Sequence, residues 1–268
     1  MSGTFGRDAD SVGYWQAEAD RYHDHVGASR RTYHAGRLAT ASQLLERADL
    51  APGARIVDFG CGDGIYSREL ASDGYAVTGL DLVEEMVVLA RRLDPERTVT
   101  FETGGAAQLA SVGSCDAVVS LNVLAYLTDG EMRDFWDALE EILVPGGYLL
   151  VSHSNELFDL FALNAGTAEF FARNFDADVR GLVAAEDGPR AAYNVRANPL
   201  TYAEVLAGHG FEEVARAYFN FHPLPPALLG EGDAGRVLDP AQIARVPEWK
   251  QQFQCSTLFS LSRRAAQP

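Results

Sequence analysis

The chain is short of cysteine, of positive charge and of long apolar runs, and each shortage removes a class of protein. Its 3 cysteines, Cys61, Cys115 and Cys255, are odd in number and far apart. They make neither a disulfide framework nor a zinc-ligand pattern, and they suit a reducing cytosol. No segment reaches the roughly 20 unbroken apolar residues of a membrane span. Residues 1–20 are polar and acidic and lack the basic and apolar blocks of a secretory signal. A cytoplasmic protein without a membrane partner is therefore expected. Lys and Arg total 22 against 38 Asp and Glu, a net charge of −16. A field of that sign repels phosphate backbones, so nucleic acid is not an expected partner. Internal repeats and low-complexity stretches are also lacking.

What is present suits a folded α/β protein. Apolar residues make up 47% of the 268 positions. A chain of this length buries roughly three-quarters of its unfolded surface and needs no staples. Leu38, Ala41, Leu45 and Ala48 recur at helical spacing until Ala51-Pro-Gly-Ala54 breaks the pattern. Strand and helix signals then alternate. Strands are expected at 55–59, 75–80, 99–101, 116–121 and 148–152. Helices are expected at 66–72, 84–93 and 131–143, with Pro145-Gly-Gly147 turning the chain before the fifth strand. After 154 the rhythm breaks into a Phe- and Asn-rich stretch, partly helical over 156–175. It resumes with a helix at 201–209 and strands at 211–219 and 254–262, the segment between them reading as a long loop or second cap. Such alternation predicts a doubly wound, mostly parallel open sheet with a partly helical cap insertion. Ligands of such sheets lie at the carboxyl ends of the strands.

The residues that carry most chemistry are Val57-Asp-Phe-Gly-Cys-Gly-Asp-Gly64, between the first strand and the helix after it. Glycines there let backbone approach a ligand closely. At the end of the second strand stands Asp81, placed to accept both hydroxyls of a ribose. A dinucleotide site is the obvious alternative. Its fingerprint needs a third glycine where this chain has Ile65, and a pyrophosphate is poorly matched to Asp58 and Asp63. A cationic sulfonium and ammonium suit those carboxylates better.

These residues resemble the class I S-adenosylmethionine-dependent methyltransferases of small-molecule type, over about residues 55–153. Asp58-Phe-Gly-Cys-Gly-Asp-Gly64 is similar to that family's first motif. Gly79-Leu-Asp-Leu-Val-Glu-Glu-Met86 is similar to its second-strand motif, and Phe101-Glu-Thr-Gly-Gly-Ala106 to its adenine turn. Residues 116–122 and Leu143-Val-Pro-Gly-Gly-Tyr-Leu-Leu-Val151 resemble its fourth and fifth strand motifs. The resemblance implies S-adenosylmethionine as cofactor. Gly60, Cys61 and Gly62 would lie against its methionine part, with Asp58 near the ammonium. Asp81 would take the ribose, Leu82 and Met86 the adenine faces, and Gly105 and Ala106 the adenine edge. Asn122 and Val123 would close the sulfonium side. Gly105 stands where the family commonly has an acid, so only backbone contacts are implied there.

On this reading residues 1–50 form an N-terminal helical lid, with Tyr22 reaching the cofactor and Tyr14 and Tyr33 beside it. Residues 51–153 and 199–268 form the cofactor-binding core, and 154–198 a cap over a small-molecule substrate. His153, at the end of the fifth strand, is the candidate base, with Glu156 and His222 as alternatives. Asn155, Phe158, Tyr193, Arg196 and His222 are candidate substrate contacts, Arg196 through a substrate carboxylate. No metal-ligand cluster is visible, and the oligomeric state is open. The expected reaction is methyl transfer to nitrogen or oxygen of a metabolite. Intramolecular displacement releasing methylthioadenosine, nicotinamide chemistry and cofactor binding without turnover are the rival readings.

Overall fold

The computed structural model describes residues 13, 15, 16, 31–162, 196–223 and 240–265. Its strands are β1 (Arg55–Phe59), β2 (Ala76–Asp81), β3 (Thr100–Thr103), β4 (Cys115–Leu121), β5 (Leu143–Ser154), β6 (Phe211–Phe221) and β7 (Cys255–Arg264). They form one sheet of order β3-β2-β1-β4-β5-β7-β6. The first five strands are parallel; β7 runs antiparallel between β5 and β6. Strand order reverses between β1 and β4, which opens a crevice at their carboxyl ends.

The middle of the sheet reads as unbroken apolar runs because both of its faces are covered. Ala117, Val118 and Val119 of β4 and Leu149, Leu150 and Val151 of β5 are all buried. The covering helices are α1 (Arg31–Leu45), α2 (Ile65–Ser72), α3 (Glu84–Leu93), α4 (Ala106–Leu109), α5 (Asp129–Ile142), α6 (Glu156–Phe161), α7 (Tyr202–Gly208), α8 (Pro240–Ile243) and α9 (Glu248–Gln254). Phe135, Leu139 and Ile142 of α5 are buried, as their helical spacing predicts. Among the described residues no helix is long and apolar enough to cross a membrane.

The differences from the expected boundaries have local causes. Helix α5 begins at Asp129 because Thr128 caps it. The Thr128 hydroxyl accepts from the Glu131 N–H at 3.2 Å, and the Glu131 carboxylate accepts from the Thr128 N–H and hydroxyl at 2.8 Å each. This reciprocal box satisfies orphan donors of the first turn. The Pro145-Gly-Gly147 turn sits inside β5 as a jump in register: Cys115 pairs with Leu143, whereas Ala117 pairs with Tyr148. The helix expected over 156–175 is described as α6 alone, and residues 163–195 lie outside the described residues. The loop expected before β7 carries α8 and α9. Of the expected lid, α1 packs on β6, β7 and β5. There Gly36 is pressed so closely on Phe219 that a Cβ would come within 2.8 Å of its ring.

Candidate active site: a cofactor crevice and its acceptor edge

The glycine loop leaves β1 and crosses the end of β2. The N–H groups of Gly60 and Cys61 donate to the Leu80 carbonyl at 2.7 and 3.1 Å. Gly60 has φ +76°, and a Cβ on it would lie 2.2 Å from a methyl of Val123. Only glycine fits both the backbone conformation and the contact. The loop therefore lies flush on the start of the β4–α5 connection, where Val123 was expected to close the site.

Asp81 is aimed by backbone. Its Oδ2 accepts from the Gly62 N–H at 2.8 Å and its Oδ1 from the Val83 N–H at 2.9 Å. Burial raises its pKa, and these two hydrogen bonds pull it back. Each oxygen keeps a lone pair, so a partly exposed carboxylate stands ready to accept two hydroxyls side by side. Leu82 beside it is 44% exposed. Met86 is buried in a small cluster with Val83. Gly105 lies next to Leu82, whose Cδ1 is 3.3 Å from where a Cβ would stand, and buried Ala106 opens α4.

Asp58 is buried under the loop, and its Oδ2 accepts from the Ser67 hydroxyl at 2.6 Å. Burial pushes its pKa up to about 6; the Ser67 hydrogen bond and the Arg37 charge oppose that rise, and Asp81 adds to it. Arg37, from α1, is 9% exposed, and its Nε has no hydrogen-bond partner among the described residues. A buried guanidinium with an unmade bond, beside a buried carboxylate, matches a ligand that carries both a carboxylate and an ammonium. Asp63 is buried, and its Oδ1 accepts from the Ile65 N–H at 3.3 Å at the start of α2. Burial raises the Cys61 thiol pKa, as suits a packed loop residue.

Asn122 ends β4 in the left-handed region, φ +61°. Ser152 of β5 holds it: the Asn122 N–H donates to the Ser152 hydroxyl, which donates to Asn122 Oδ1, both at 2.9 Å. A non-glycine residue in that region is strained, and such strain collects at functional edges. Sequence reasoning passed over Ser67, Ser152 and Arg37. Arg37 alone left a signal, a cation among the apolar positions of a helix face. Serine partners 9 and 30 residues away leave none.

The edge beyond β5 bears on two expectations. His153 is 3% exposed, and its Nε2 lies 2.6 Å from the Tyr202 hydroxyl of α7. Burial pushes its pKa down to about 4. One ring nitrogen is thus bonded and the other, Nδ1, is buried without a hydrogen-bond partner among the described residues, so the ring is shut off from solvent and the base role expected of it gains no support from this position. Asn155 is likewise consumed by structure. Its Oδ1 accepts from the Leu157 N–H at 3.0 Å, capping α6, while its Nδ2 donates to the Gln252 and Cys255 carbonyls at 2.6 and 2.8 Å. It has little left for a substrate. Phe158 and His222 do meet, with ring centroids 4.8 Å apart. His222 Nε2 is buried without a hydrogen-bond partner among the described residues, and burial lowers the pKa of the ring. Arg196 is partly exposed next to the Asn155–Ala197 bridge. Tyr14, Tyr22, Asn164 and Tyr193, and the Tyr33 side chain, lie outside the described residues.

A parallel sheet of this order, with a glycine loop after β1 and an aimed carboxylate after β2, defines a nucleoside-binding α/β protein. The comparisons make the class specific. Residues 56–147 match the family model of a methyltransferase domain. Over 161 residues the chain is 35% identical to the ubiquinone biosynthesis O-methyltransferase of Xanthomonas oryzae pv. oryzae (strain PXO99A), covering 59% of this chain and 66% of that protein. The counterpart of Xanthomonas axonopodis pv. citri (strain 306) is 36% identical over 141 residues, 51% of this chain and 56% of its own. The match thus spans 66% and 56% of these two curated relatives, less than two thirds of either. Among solved structures, magnesium protoporphyrin IX methyltransferase from Synechocystis PCC 6803 with bound S-adenosylhomocysteine superposes with TM-score 0.61 at 19% identity, covering 96% of this chain and 100% of that one. A putative methyltransferase in complex with the Haloferax volcanii activator Trm112 gives TM-score 0.62 at 19% identity, covering 98% and 100%. Residues 56–147 thus form a methyltransferase domain, similar along this stretch to these relatives.

Proposed function

We propose that this protein transfers the methyl group of S-adenosylmethionine to a hydroxyl oxygen of a small molecule. The observation that carries the reading is the Asp81 carboxylate, gripped by the Gly62 and Val83 N–H groups beside a glycine loop. Oxygen is preferred over nitrogen because the curated relatives are named O-methyltransferases.

Each residue of the crevice has a part. Asp81 holds the ribose hydroxyls, and Leu82, Met86, Gly105 and Ala106 hold the adenine. Asp58 and Arg37 take the ammonium and carboxylate of the methionine end. Gly60, Cys61 and Gly62 line its length, with Asn122 and Val123 across from them. The cofactor supplies a methyl already activated by the sulfonium charge, so the protein has mainly to align the acceptor and exclude water. Alignment falls to the far edge, where Phe158 and His222 meet. The unpartnered His222 Nε2 is the better candidate to take a proton from an acceptor hydroxyl, because burial keeps that imidazole neutral near pH 7. Arg196 remains the candidate for an acidic group of the acceptor, and Tyr193 and Tyr22 remain candidate substrate and cofactor contacts.

The cap reading for 154–198 draws support from its base. The Ala197 N–H donates to the Ser154 carbonyl and the Glu156 N–H to the Ala197 carbonyl, both at 3.0 Å, so the two ends of the insertion are joined at the tip of β5. An insertion closed at its base leaves the sheet unaltered.

The test is incubation of the purified chain with methyl-labelled S-adenosylmethionine and a panel of small phenols and alcohols. The expected result is a labelled ether and S-adenosylhomocysteine in equal amounts. Release of methylthioadenosine, or no S-adenosylhomocysteine above the acceptor-free rate, overturns the proposal.

A further inference from the structure

The turn after β3 folds one side chain back along itself. Gly104 is tied to the end of β2, its N–H donating to the Asp81 carbonyl at 2.8 Å. Gln108 lies across it: a Cβ on Gly104 would come 2.8 Å from the Gln108 Cβ and 3.3 Å from its Cγ. The stem of Gln108 is thereby laid along the turn, and its Oε1 accepts from the Gly105 N–H at 2.9 Å. A Cβ on Gly105 would stand 3.3 Å from Leu82 Cδ1 and 3.8 Å from Gln108 Oε1. The amide therefore sits at the rim of the surface that Leu82 and Gly105 make, and Gln108 itself is exposed. A backbone N–H can only donate, so the oxygen of this amide, and not its nitrogen, must face Gly105. That bond caps the short helix α4 and uses one lone pair. The other lone pair of Oε1 is left over, and Nε2 makes no hydrogen bond among the described residues.

We infer that Gln108 is the residue that tells the 6-amino purine of the cofactor from a 6-oxo purine. The inference rests on the reading of the crevice under Proposed function, which lays adenine on Leu82, Met86, Gly105 and Ala106. A primary amide is complementary to the edge of adenine: its oxygen accepts from the exocyclic amino group and its nitrogen donates to the ring nitrogen beside it. The Gly105 N–H fixes which end of the amide accepts. A 6-oxo purine presents an acceptor where adenine presents the amino donor. Meeting it sets oxygen against oxygen, or else the amide turns over and sets its own N–H groups against the Gly105 N–H. Either arrangement leaves a polar group unpaired, and a site built for hydrogen bonding rejects an analogue most strongly on that ground. The side chain of Gln108 thus supplies a contact that Gly105, with no side chain of its own, does not.

The probes are S-adenosylhomocysteine and its 6-oxo analogue S-inosylhomocysteine, each titrated into the full chain by calorimetry. The unsubstituted protein should bind the amino form about thirtyfold more tightly than the oxo form. Gln108→Ala should cut that preference about tenfold, chiefly by weakening S-adenosylhomocysteine. Gln108→Glu, which keeps an acceptor oxygen for the Gly105 N–H and the purine amino group, should retain the preference to within about threefold. Loss of the helix cap alone weakens both ligands alike, so the ratio of the two affinities separates recognition from stability. An unsubstituted protein that binds the two forms equally overturns the inference, as does a Gln108→Ala variant that keeps the parent ratio within twofold. Failure of the unsubstituted protein to bind S-adenosylhomocysteine at all overturns the cofactor reading instead.

Discussion

The two halves of the sheet edge use polar side chains in opposite ways. Along β1, β2 and β4 the polar groups are aimed by their neighbours and keep capacity to spare. Asp81 is fixed by two backbone N–H groups, Asn122 is braced by Ser152, and Arg37 retains an unmade bond. Along β5, β7 and β6 the most conspicuous polar groups are tied into the fold. His153 is bonded to Tyr202, and Asn155 joins α6 to the α9–β7 junction through three bonds. The difference teaches that position at a strand end does not make a polar residue functional. What matters is whether its partners orient it or exhaust it.

The comparison breaks most readily at Asp81. Asp81→Ala should raise the Kd for S-adenosylhomocysteine about a hundredfold or more, because two ribose hydroxyls lose a charged acceptor at roughly 1.5–3 kcal/mol per bond. Isothermal calorimetry measures it, and a change under fivefold would remove Asp81 from the cofactor site. Asn155→Ala should do the reverse. It should cost about 2–3 kcal/mol of stability in urea unfolding, because a helix cap is lost and buried carbonyls go unpaired, while affinity for S-adenosylhomocysteine stays within twofold.

His222 and His153 sharpen the contrast on the acceptor side. Once an acceptor is in hand, His222→Asn should lower kcat about a hundredfold, the usual scale of a general base, while His153→Gln leaves it within about threefold. The buried His153 has a separate signature. Its folded pKa of about 4 lies below that of an unfolded histidine. Protons therefore bind preferentially to the unfolded chain as pH falls from about 6.5 toward 4, and the contribution to stability is lost through that window. Relative to His153→Gln, the parent should lose about 3 kcal/mol across it, read from unfolding curves at successive pH values.

The smallest expected effect belongs to Asp58. Its pKa, raised to about 6, leaves most of the carboxyl ionised at pH 7.5 and protonated below 6. A cationic ammonium favours the ionised form. Affinity for S-adenosylhomocysteine should therefore fall by up to about tenfold per unit as pH drops below 6. Asp58→Asn should bind more weakly at pH 7.5 and show a flatter profile.

By itself the sequence determined the fold class and the local parts of the candidate cofactor crevice. β1 and the glycine loop, the carboxylate closing β2 and the apolar periodicity of α5 are local features, and contiguous residues announce them because turn geometry and helical spacing act over a few positions. Tertiary structure alone decided which polar residues remain available. Tyr202 comes to His153 from 49 residues away, Ser152 to Asn122 from 30, and the Cys255 carbonyl to Asn155 from 100. Hydrogen bonds saturate through space, so whether a histidine or an asparagine is free to meet a ligand depends on neighbours that the order of residues along the chain does not name.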